Sequence, residues 1–99
     1  MKSESQPCVY IMTNKHNTVL YTGVTNDLAR RIEQYKGNPG YGFTGRYNAR
    51  KLVYVEIAED IDRALFREKQ IKAGSRQKKI DLIDHMNPSW QDLSEEFLV

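Results

Sequence analysis

At 99 residues, with 39% hydrophobic and 28% charged side chains, the chain suits one small globular domain with a single core, which excludes a two-domain enzyme or a large cofactor barrel. No apolar run approaches the ~18 residues of a membrane span, and the first seven residues hold no signal-peptide core. One cysteine and two histidines build neither a disulfide nor a closed zinc site, and the expectation is a cytoplasmic protein with no membrane segment.

Residues 1–6 read as a disordered tail. The stretches 8–13 (CVYIMT) and 18–24 (TVLYTGV) are rich in β-branched and aromatic residues and flank the turn-forming 14–17 (NKHN), which predicts a β-hairpin. Asn26 or Asp27 caps a helix running to about Lys36 and closed by Gly37. Residues 37–48 carry four glycines and a proline and form a long loop, of a length that is usually functional or disordered. A third strand follows at 51–57 (KLVYVEI). Asp60 caps a second helix to about Ala73, stopped by Gly74, and Ser75 caps a third to about Met86, ended by Asn87-Pro88. The order is ββαβαα: an α+β fold, a three-stranded antiparallel sheet with flanking helices, spanning 7–90 and followed by an acidic C-terminal tail, 91–99.

A net charge of +2 says little, but its distribution is uneven. Between residues 28 and 51 six cations face one acid, Glu33, and between 63 and 79 seven face Glu68. That segregation suits a face for a polyanion, and it equally suits solvated helix faces.

Four features stand out against a plain structural pattern. A four-residue turn at 14–17 sets Tyr10 directly opposite Tyr21 on one sheet face, as a functional pair or as an ordinary cross-strand aromatic contact. On the first helix, Leu28, Ile32 and Tyr35 form an apolar stripe that includes Arg31, whereas Arg30 points away. On the second, Glu68 lies at the centre of a stripe made by Ile61, Ala64, Leu65 and Ile71. A charge in either place needs a partner, so Arg31 and Glu68 either neutralise each other or flank a phosphate and a metal. Finally, the loop aromatics Tyr41, Phe43 and Tyr47 alternate with Arg46, Arg50 and Lys51, as suits base stacking with phosphate contact or a loop covering its own core.

Taken in order, Cys8-Val9-Tyr10, Tyr21-Thr22-Gly23, Arg31 ten residues after Tyr21, Glu68 within Arg67-Glu68-Lys69-Gln70-Ile71-Lys72, and the late Asn87 resemble the GIY-YIG nuclease domain over nearly the whole chain. The phrases at 43–48 (FTGRYN) and 86–90 (MNPSW) are similar to those of its small stand-alone bacterial members. The first tripeptide keeps only its tyrosine, and Tyr35 stands where homing endonucleases carry a histidine and excision-repair members a tyrosine.

The resemblance implies a metal-dependent endonuclease acting on nucleic acid, DNA rather than RNA, in repair or recombination, with a protein partner as one source of specificity. It implies Tyr10, Tyr21, Arg31, Tyr35, Glu68 and Asn87 as catalytic residues, with Arg31 clamping phosphate and Glu68 as the sole protein ligand of Mg²⁺ or Mn²⁺. Arg46, Tyr47, Arg50, Lys51, Arg67 and Lys72 are the expected nucleic-acid contacts. The alternative is an accessory module of the same fold that binds nucleic acid and cuts nothing.

Overall fold

A computed structural model describes residues 6–37 and 48–98. The order is β1 (Cys8–Thr13), β2 (Leu20–Thr25), α1 (Leu28–Gly37), β3 (Lys51–Ile57), α2 (Ile61–Ala73), α3 (Arg76–Met86) and a short α4 (Ser94–Phe97). The three strands form one antiparallel sheet in the order β2-β1-β3, which bears out the expected α+β fold.

All six β1 residues are buried, because β1 is the middle strand and both faces of the sheet are covered. Cys8, Tyr10 and Met12 meet Leu28, Ile32 and Tyr35 of α1, Leu52 and Val55 of β3, and Leu93. Val9 and Ile11 point the other way, to Ala64 and Ile71 of α2 and Ile83 of α3. This is why the strand reads as an unbroken apolar run instead of an alternating one. A bulge in β3 lets it serve both cores. The partner of β1 jumps from Tyr54 at Ile11 to Leu52 at Met12, leaving Val53 as the extra residue.

The hairpin register differs from expectation. Thr13 pairs with Leu20, so the loop is six residues long, Tyr10 faces Gly23, and Tyr21 faces Met12. Asn14 is the cause. Its Oδ1 accepts the N–H groups of Thr18 (2.7 Å) and Val19 (3.1 Å), and its Nδ2 donates to Thr18 Oγ1 (2.7 Å), which holds both residues in the loop. A shift of two residues preserves the face, so Tyr10 and Tyr21 remain on one side as diagonal neighbours.

Helix starts follow the expected caps. Asp27 accepts from Arg30 N (3.2 Å), Asp60 from Arg63 N (2.8 Å) and Ser75 from Lys78 N (3.1 Å). The apolar stripe of α2 is narrower than its spacing suggests, since Ala64 and Ile71 are buried but Ile61 and Leu65 are about 40% exposed. Of the expected 1–6 tail only Gln6 is described, and most of the 37–48 loop lies outside the described residues.

The stretch expected as a tail from 91 onward is docked. Leu93 N donates to Leu52 O (2.7 Å), Leu93 and Ser94 are buried, and Phe97 packs on the α1 side of the sheet. Asp92 drives this, accepting from the N–H groups of Leu52 (3.2 Å) and Ser94 (3.0 Å) and from Lys36 Nζ. Counting its negative charges makes the segment look solvated, whereas this carboxylate is turned inward as a hydrogen-bond acceptor.

Candidate active site

Gly23 sets the geometry of the site. A Cβ there would lie 2.5 Å from both Cζ and Oη of Tyr10, so the ring of Tyr10 lies across the bare backbone of β2. Tyr10 is 1% exposed, and its hydroxyl accepts a hydrogen bond of 3.1 Å from Nη1 of Arg31. Arg31 is half-buried at the edge of the α1 stripe formed by Leu28, Ile32 and Tyr35, while Arg30 is exposed. Tyr21 stands two residues before Gly23 and therefore on the same face, with its ring centroid 6.3 Å from that of Tyr10 and its ring tilted by 50°.

The three tyrosines sit in unlike surroundings. Burial pushes the Tyr10 phenol up to about 12 although Arg31 pulls it down, so the group is neutral at physiological pH. Tyr35 is also 1% exposed; burial, reinforced by Tyr10 and Asp92 and opposed by the Ser94 hydroxyl, raises its phenol well above the ordinary value, and among the described residues its hydroxyl has no partner in good hydrogen-bond geometry. Tyr21 is only partly buried, so of these three tyrosines it is the one with a solvent-facing side.

Beside the cluster a polar pocket of about 140 Å³ is lined by Thr25, Asn26, Asp27, Arg30, Arg31 and Gln34. Arg30 thus shares a concavity with Arg31, although its position on the helix suggests that it points away.

Residues 6–81 match the family model described as the GIY-YIG catalytic domain. The chain belongs to the GIY-YIG family. It is 39% identical over 75 residues to a UPF0213 protein of Staphylococcus saprophyticus, covering 76% of this chain and 90% of the relative. Over 88 residues it is 35% identical to a UPF0213 protein of Clostridium perfringens, covering 89% and 94% respectively. The solution NMR structure of a UPF0213 protein from Bacillus halodurans matches with a TM-score of 0.56 at 30% identity, covering 91% of this chain and 95% of that one.

In this GIY-YIG domain the remaining expected residues divide by what they touch. Glu68 lies between Ala64 and Ile71 on the stripe by which α2 packs on β2, the edge strand that also carries Tyr21 and Gly23; its side chain is 13% exposed and pairs with Lys72 Nζ at 2.9 Å. Asn87 is engaged by backbone groups. Its Nδ2 donates to Val53 O (3.1 Å) and Gln91 O (2.8 Å), and its Oδ1 accepts from Gln91 N (3.1 Å), so it clamps the end of α3 to the β3 bulge.

Of the expected nucleic-acid contacts, Arg67 pairs with Glu56, whose two oxygens accept from Nε at 3.1 and 2.9 Å, and Glu56 also accepts from Tyr54 Oη (2.6 Å). Lys72 shares its charge with Glu68. Arg50 and Lys51 stand together at the entry to β3, and Arg46 and Tyr47 lie outside the described residues. Sequence reasoning missed Lys15 and Lys36, which line one groove with Arg50, Lys51 and Asp92. No linear spacing links those positions; the only signal for Asp92 was its place two residues before Ser94, as an Asx-type cap.

Proposed function

We propose that this chain is a metal-dependent phosphodiesterase that cuts nucleic acid, DNA in the first instance, by in-line attack of water, with a role in repair or recombination. The observation that carries the reading is the Tyr10–Arg31 hydrogen bond laid over Gly23, which holds a guanidinium at the rim of a polar pocket where a phosphodiester fits. Arg31 donates to the non-bridging oxygens, where negative charge grows as the bond breaks. Tyr10, buried and neutral, positions Arg31. Tyr21, on the accessible side, orients the attacking water and, in its phenolate form, takes its proton.

Glu68 is the ligand for Mg²⁺ or Mn²⁺. Its donor set suits such an ion: hard carboxylate oxygens on a largely buried side chain, with Lys72 paired to Oε2. Mg²⁺ is commonly held by one or two carboxylates plus substrate phosphate and water, so one acid suffices, and the described residues contain no cluster of three ligating groups. The ion, when bound, would polarise the phosphate and stabilise the leaving oxygen.

The test is a cleavage screen over labelled duplex, single-stranded, flap, junction and RNA substrates with Mg²⁺, Mn²⁺ or EDTA. Metal-dependent cleavage is expected, with Glu68→Gln inactive but still binding nucleic acid and Arg31→Ala slower by ~10²–10³-fold. Binding without cleavage by the wild type across the whole panel would replace this reading with that of an accessory binding module.

A further inference from the structure

At the C-terminal end of α1 a second concavity, of about 280 Å³, is lined by Lys15, Lys36, Asn48, Arg50, Lys51 and Asp92. Its cations come from the hairpin loop, the last turn of α1 and the entry to β3, so the concentration of charge exists only in the folded chain. Four cations face one acid there. Asp92 turns its acceptor capacity inward, to Lys36, Leu52 N and both N and Oγ of Ser94. Lys15, Arg50 and Lys51 make no ion pair among the described residues.

Arg50 adds a guanidinium to the lining, whose planar fork of donors fits an oxyanion better than an ammonium does. Lys36 follows Arg31 by five residues on one helix, about 7.5 Å further along the axis and about 140° around it, so the groove opens at the end of α1 opposite to the active-site pocket.

We propose that this groove holds the phosphate backbone of the nucleic-acid strand next to the position where it is cut, with Lys15 and Lys36 joining Arg50 and Lys51 as backbone contacts. The proposal rests on the phosphodiesterase reading. Point charges on flexible stems with one guanidinium set affinity and register and read no base sequence. Asp92 acts as a positioning residue that holds the Lys36 ammonium at the rim.

The experiment is fluorescence anisotropy of labelled single-stranded DNA, duplex DNA and single-stranded RNA in EDTA, which prevents metal-dependent turnover, over ~50–200 mM KCl. Lys15→Glu, in the exposed loop, Lys51→Gln and their combination are compared with Lys69→Glu on the exposed side of α2, with melting temperatures measured for each. The combined variant is expected to bind at least ~10-fold more weakly, with a salt slope shallower by about one per lysine removed, while Lys69→Glu binds as the wild type does. Unchanged affinity in the groove variants, or an equal loss in Lys69→Glu, overturns the proposal. The phosphodiesterase reading is judged separately, by cleavage of the same panel. A wild type that cuts while the groove variants bind normally refutes the groove alone, and one that binds through the groove and never cuts refutes hydrolysis alone.

Discussion

Identical phenols meet different surroundings here. Tyr10 and Tyr35 are each 1% exposed, while Tyr21 keeps a solvent-facing side. Only a phenolate takes a proton from water, and only if its oxygen meets that water; burial denies Tyr10 both. Tyr21→Phe is therefore expected to lose cleavage by ~10²–10⁴-fold at an unchanged melting temperature. Tyr35→Phe should melt close to the wild-type temperature, since among the described residues the buried hydroxyl it removes has no partner in good hydrogen-bond geometry. Cleavage rates and thermal melts of the two variants check this together; full activity in Tyr21→Phe would remove Tyr21 from the chemistry.

Among the secondary-structure elements, small polar side chains decide where each one begins and ends. Asn14 lengthens the hairpin loop by binding Thr18 and Val19, and the resulting register seats Tyr10 over Gly23. Asn87 does comparable work at the end of α3, where its amide satisfies the carbonyl of Val53 and both backbone groups of Gln91. Its loss would take a partner from the buried Val53 carbonyl, while the exposed Gln91 groups turn to water. Asn87→Ala is expected to cost about 1–3 kcal/mol, read by urea denaturation. Turnover per folded molecule should stay close to wild type, because the amide is already engaged by backbone. A variant that melts normally and cuts poorly would return Asn87 to the catalytic set.

For the whole molecule, the central strand ties two cores together and the C-terminal segment closes one of them. Asp92 links three parts of the chain: Lys36 at the end of α1, Leu52 in β3 and Ser94 at the start of α4. Burial opposes its ionisation, but these hydrogen bonds win and hold the carboxyl below its ordinary range. A carboxyl whose pKa is lower in the folded than in the unfolded state stabilises the fold above the unfolded value of ~3.9, and that contribution is lost as pH falls through the folded value. Asp92→Asn should accordingly be less stable than the wild type at neutral pH, with the gap narrowing in acid below pH ~4. Denaturation midpoints measured from pH ~3 to ~7 read this out, and a pH-independent gap would show that geometry, not charge, makes the contribution.

The periodicities and caps of the sequence determined the element order, the three helix starts and the face on which Tyr10 and Tyr21 sit. These depend on residues near one another in the chain, and the face survived a two-residue register error because side chains alternate with period two. The family was legible for the same reason, in two short tripeptides and the spacing that follows them. The tertiary structure alone decided that Gly23 accommodates the ring of Tyr10, that Arg67 is engaged by Glu56, and that Asp92 binds residues 40 and 56 positions away. It alone gathered Lys15, Lys36, Arg50 and Lys51 around one groove. Contacts between residues far apart in the chain leave no period in the sequence, so the partners of each charge became visible only when the two faces of the sheet were covered.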